Sequence, residues 1–103
     1  MEERFIECEV TTFLFPDERI AKFHVGDTEY QIIADRLDVP LLSSSEEPIE
    51  GKWVSANLRV YLVKEGRELT WINLPSETMT SGRRLEVPQQ LLKLSAPNDT
   101  ERF

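Results

Sequence analysis

Residues 52–74, KWVSANLRVYLVKEGRELTWINL, put an apolar side chain at every second position of their first arm. Val54, Ala56, Leu58, Val60 and Leu62 share one parity. A β-strand sends alternate side chains to opposite faces, so these five form a continuous apolar face. The other parity, Trp53, Ser55, Asn57, Arg59, Tyr61 and Val63, is mixed. Such a strand keeps one face in a core and one face half covered or wet. Lys64-Glu65-Gly66 then reads as a three-residue turn with glycine at its left-handed third position. This turn pairs Val63 with Arg67, Tyr61 with Leu69, Arg59 with Trp71, Val60 with Thr70, Leu58 with Ile72 and Ala56 with Leu74. The Arg59–Trp71 pair sets a guanidinium beside an indole, favourable by about 0.5–1 kcal/mol at an exposed site.

A second hairpin precedes it. In IAKFHV-GD-TEYQIIA, residues 20–34, Gly26-Asp27 suits a two-residue loop with glycine first. The pairing runs Val25/Thr28, His24/Glu29, Phe23/Tyr30, Lys22/Gln31 and Ala21/Ile32, and the apolar parity agrees on both arms. His24 falls on the solvent face opposite Glu29, where a cross-strand polar pair is its expected role. Residues 5–15, FIECEVTTFLF, read as a first strand with Ile6, Cys8, Val10, Thr12 and Leu14 on the apolar face. The run Phe13-Leu14-Phe15 suggests a bulge or a place where both faces are covered, and Pro16-Asp17 ends the strand.

Residues 35–51, DRLDVPLLSSSEEPIEG, are a long connection without clear period, expected to be mobile around residues 43–47. Its serines and glutamates suit a solvated loop or a phosphate acceptor equally. After a further loop, PSETMTSG at 75–82, Arg83-Arg84-Leu85-Glu86-Val87 reads as a short last strand. Pro88 can open a helix of one to two turns, and residues 95–103 read as a disordered tail. Residues 81–94, SGRRLEVPQQLLKL, resemble the Gly-Arg-x-apolar-x-apolar-Pro segment of the swapped-hairpin transcription factors, a strand turning into a short helix. Those are basic DNA-binding dimers; the acidic balance and C-terminal position here depart from them, and no family is assigned.

The expected fold is therefore all-β: a small five- to six-stranded antiparallel barrel, SH3-like or OB-like, with a short C-terminal helix, spanning 1–94. With 103 residues, 40% of them hydrophobic, the chain can build one ordinary core. No apolar run approaches the roughly 20 residues of a membrane span. The start MEERFIECEV lacks signal-peptide character, and one cysteine cannot form an internal disulfide, so a cytoplasmic protein is expected. Cys8 lies on the apolar parity as a small buried hydrophobe.

Charge and motifs narrow the function. Net charge is −7, unevenly spread: residues 1–50 hold 13 acidic and 4 basic side chains, residues 51–103 hold 6 and 8. An acidic chain argues against general nucleic-acid binding. The sequence has no Ser/His/Asp set, no Cys/His metal spacing and no phosphate loop, so neither catalysis nor a cofactor or metal is expected. What remains is the mixed face of the central hairpin: Trp53, Arg59, Tyr61 and Trp71, with Arg83 and Arg84 nearby. Trp, Tyr and Arg dominate binding hot spots. The leading expectation is a non-enzymatic binding module, with a protein partner or a second copy of the chain. The alternatives are single-stranded nucleic acid on a barrel face, or an acidic mimic of nucleic acid using Glu7 and Glu9.

Overall fold

The computed structural model describes residues 2–42, 46–78 and 82–94. Most of the expected mobile segment, residues 43–45, and the tail 95–103 lie outside the described residues.

Six antiparallel strands form one curled half-barrel sheet: β1 (Glu3–Thr12), β2 (Glu18–Val25), β3 (Thr28–Asp35), β4 (Val54–Glu65), β5 (Leu69–Thr78) and β6 (Gly82–Pro88). Their order is β3-β2-β1-β4-β5-β6. One further pairing, Ile32 with Thr78, brings the far end of β5 to β3 and curls the sheet on itself. Among the described residues, helix is confined to 3-10 turns at Arg36–Asp38 and Gln89–Leu91, so at Gln89–Leu91 the expected C-terminal helix is a single tight turn.

The β2–β3 hairpin has the register its loop dictates, from Val25–Thr28 to Ala21–Ile32 and beyond. Gly26 has φ 61° and Asp27 does not share the positive φ, the signature of a turn that needs glycine at its first central position. Ala21, Phe23 and Ile32 are buried on the inward parity, and the Phe23 and Tyr30 rings stack with centroids 5.5 Å apart.

The central hairpin differs from its expected register. Tyr61 pairs with Asn73 and Leu62 with Ile72; after a bulge at Val63, Lys64 pairs with Trp71 and Glu65 with Thr70. The strand therefore runs through Lys64 and Glu65, and residues 66–68 make the turn. Gly66 does not adopt a positive φ. Glycine is required there because a Cβ would run into the Leu69 carbonyl oxygen. Ile72 and Leu74 remain on the core face with Val54, Ala56, Leu58 and Val60, all buried. Parity cannot tell apart registers that differ by an even number of residues, so the core face survives while the partner of Tyr61 moves four residues, from Leu69 to Asn73. The segment 75–78, expected as loop, is the end of β5; its pairing with β4 stops at Asn73, just short of Pro75, which has no ladder donor.

Two short segments cover free edges. Along β4, the Asn57 amide donates to the Pro40 carbonyl at 2.9 Å, and Leu41 bridges Ala56. Along β1, Phe5 and Lys93 exchange two backbone hydrogen bonds. Both remove edge positions that would otherwise template aggregation. Between Glu7 and Pro40 lies Asn57, fully buried, with neither Nδ2 nor Oδ1 hydrogen-bonded among the described residues. An unsatisfied buried amide costs about 1–3 kcal/mol. Asn57→Leu, of similar size, is therefore expected to raise stability by about 1–2 kcal/mol. This reads as a higher urea midpoint at unchanged slope; a lower midpoint would mean that the amide is held by a partner.

Candidate functional site

The six residues singled out by composition do not form one patch. Trp71, Tyr61 and Arg84 gather on the outer face of β4, β5 and β6. Tyr61, Asn73 and Arg84 make one cross-strand row, and Arg84 Nε donates to Asn73 Oδ1 at 3.3 Å. Trp71 stands in the next row between Lys64 and Glu86. The bulge at Val63 turns Lys64 onto the same face as Trp71, a common use of bulges next to binding surfaces. Val63, Lys64, Trp71 and Arg84 line a shallow groove of about 320 Å³. Trp71 is 40% exposed, and Leu69 and Val63 are exposed beside it. The groove is thus apolar at its floor and cationic at its rim.

The other three residues are placed elsewhere. Arg59 is not paired with Trp71, whose partner on β4 is Lys64; it lies opposite Phe5 in the β1–β4 ladder, with its guanidinium carbon 5.8 Å from that ring. Its nitrogens approach Glu3 at 3.7 Å and Asp38 at 3.6 Å. It ties the connection after β3 to the sheet. Burial pushes the Asp38 carboxyl above the usual carboxylate range, Arg59 pulls it back in part, and Asp35 and Glu3 add to the rise. Trp53 is half-buried at the other end of β4, with Lys22 Nζ 4.1 Å from its ring centroid. Arg83 shares the parity of Leu85 and Val87, opposite to Arg84, and its Nε donates to the Leu74 carbonyl at 3.2 Å.

The remaining sequence candidates have local explanations. His24 Nε2 lies 3.4 Å from Glu29, the expected cross-strand pair. Glu7 pairs with Lys93 at 2.5 Å and Glu9 with Lys22 at 3.8 Å, so each carboxylate of the would-be nucleic-acid mimic faces a cation. Among the described residues, no group of three or more His, Cys, Asp or Glu side chains could hold a metal ion, and no helix is long and apolar enough to cross a membrane.

The loop after β1 was missed. β1 stops at Thr12, so Leu14 and Phe15 do not lie in a doubly covered strand; Leu14 is 77% exposed and Phe15 64%. Arg19, two residues past the Pro16-Asp17 turn, is buried on the inward parity of β2. The available signal was its spacing: Arg19, Ala21, Phe23 and Val25 alternate, so the apolar parity ends in a guanidinium.

No family model matches the chain, and neither a curated protein nor a solved structure matches it significantly.

Proposed function

We propose that this protein is a non-enzymatic binding module whose contact surface is the outer face of β4, β5 and β6, centred on Trp71. The observation that carries this reading is the exposed indole in an apolar groove rimmed by Lys64 and Arg84. Trp and Arg are the side chains most enriched among residues whose truncation costs an interface 2 kcal/mol or more. A shallow groove that lies open on the outer face of a sheet and exposes its indole favours a protein partner or a second copy of the chain over a small substrate. The cationic rim favours a partner surface with an apolar centre and carboxylates around it.

Trp71→Ser is the test, with His24→Ala as an exposed control on the other hairpin. Sedimentation equilibrium on the isolated protein reads self-association, and cross-linked capture from native lysate reads a heterologous partner. Loss of either complex by about 30-fold in affinity is expected for Trp71→Ser, the equivalent of about 2 kcal/mol. Complexes that survive Trp71→Ser unchanged would remove this face from consideration.

A further inference from the structure

A second site, built on different residues, lies where β1 gives way to β2. β1 ends at Thr12, and residues 13–17 turn the chain into β2, closed by the Glu18 amide donating to the Phe15 carbonyl at 3.0 Å. Arg19 follows on the inward parity of β2, at the mouth of the half-barrel. Its side chain is only 9% exposed, whereas that of Glu47, its ion-pair partner, is 75% exposed. Arg19 Nη2 meets Glu47 Oε2 at 2.9 Å, and Nη1 donates to the Val39 carbonyl at 3.5 Å. Beside this pair lies a cavity of about 310 Å³, lined chiefly by Phe13, Phe15, Pro16, Arg36, Glu47 and Pro48.

Two features of this cavity are unusual for a structural ion pair. The buried member is a guanidinium, which is costly to keep out of water without an anion. The anion that satisfies it is a mostly hydrated side chain on a connecting loop, and exposed pairs are worth little. Glu47 thus shows where a carboxylate sits on Arg19 without being held firmly there. The apolar walls, Phe13, Phe15 and Pro48, lie next to that position.

We infer that the cavity binds a small amphipathic carboxylate, its head on Arg19 in place of Glu47 and its hydrocarbon body against Phe13, Phe15 and Pro48. Charge selects the head group. As folded, Arg19 and Arg36 are balanced by Glu47 and Glu18, which also lines the cavity. Displacing Glu47 leaves one positive charge, which a monoanion neutralises and a dianionic phosphate overshoots. The forked guanidinium also matches a planar carboxylate. Size selects the body: the volume lies at the bottom of the roughly 300–1,000 Å³ range of ligand cavities, which suits a short-chain acid.

The test is an amide-resolved NMR titration of the full chain with hexanoate, against hexan-1-ol as the neutral counterpart. Hexanoate is expected to give saturable shifts confined to the amides of residues 13–15, 17–19, 36 and 47, and hexanol none that saturate there. Glu47→Ala removes the built-in competitor and is expected to tighten hexanoate binding about two- to fivefold. Arg19→Gln is expected to abolish binding. Should that variant fail to fold, Arg36→Gln and Phe15→Ser, both at exposed positions, are each expected to weaken binding. Equal shifts with hexanol, an absence of saturation with hexanoate, or weaker binding by Glu47→Ala each overturn the assignment.

Discussion

Leu58→Ala is expected to cost about 2–5 kcal/mol, whereas Leu14→Ala is expected to change stability by no more than about 0.5 kcal/mol. Both remove the same atoms. Leu58 is fully buried on the inward face of β4, opposite Ile6 of β1, within the cluster formed by Val10, Phe23, Ile32, Val60, Ile72 and Leu74. Its truncation loses the transfer free energy of the side chain and leaves a cavity that a curled sheet, hydrogen-bonded along its strands, can close only in part. Leu14 lies past the end of β1 and is already in water. Total stability for a domain of this size is about 5–15 kcal/mol, so the Leu58 variant loses a large fraction of it. In melting temperature this amounts to a fall of about 8 °C or more, at about 4–8 °C per kcal/mol. Equal effects of the two substitutions would mean that the apolar parity of the central hairpin does not define the core.

That parity was the most legible part of the sequence, because a single strand displays its two faces without reference to any other. The β2–β3 register was equally legible: a two-residue loop leaves no freedom, and both arms agreed on which side chains point inward. The β4–β5 register was not. Alternation cannot distinguish registers that differ by an even number of residues, and the bulge at Val63 has no local mark in a run of β-formers. Gly66 misled for a related reason. Glycine is demanded both by a left-handed backbone and by the close approach of another strand, and here the Leu69 carbonyl imposes the second. The edge-covering segment at residues 40–42 is too short to carry a period. Its role depends on where β5 leaves β4.

The candidate surfaces follow the same division. Composition pointed to Trp71, Tyr61 and Arg84 because exposed aromatics on a strand are visible as an exception to polar alternation. It also pointed to Arg59 and Trp53, which tertiary partners occupy: Asp38 and Glu3 around the guanidinium, Lys22 over the indole. Those partners come from other strands and from the connection after β3, and no local pattern announces them. Arg19 shows the converse. Its inward spacing with Ala21 and Phe23 was present in the sequence, but a charged residue beside a proline turn reads as part of the turn until the barrel mouth is seen around it.

Cys8 offers a chemical readout of the same core. It lies on the inward parity of β1 opposite Ala56, and burial, with Glu9 and Glu7 on either side, pushes its thiol from the ordinary 9.0 up to about 12. At pH 8 a rise of three units lowers the thiolate fraction about a thousandfold, and the thiolate is the reactive form. Alkylation of the folded protein by iodoacetamide is therefore expected to be at least about a thousandfold slower than in 8 M urea. The sign for stability follows from the same rise. The fold favours the neutral thiol, so this contribution is complete below pH 9 and is lost as pH climbs from about 9 towards 12. Because the native thiol is so poor a nucleophile, whatever labelling occurs at pH 8 must pass through opened molecules, and its rate reports their population. Leu58→Ala enlarges that population by about tenfold for each 1.4 kcal/mol lost, so it should accelerate Cys8 labelling by at least that factor, while Leu14→Ala leaves it unchanged. A Cys8 that labels rapidly in the folded wild type, or at a rate insensitive to Leu58→Ala, would place the first strand outside the cooperative core.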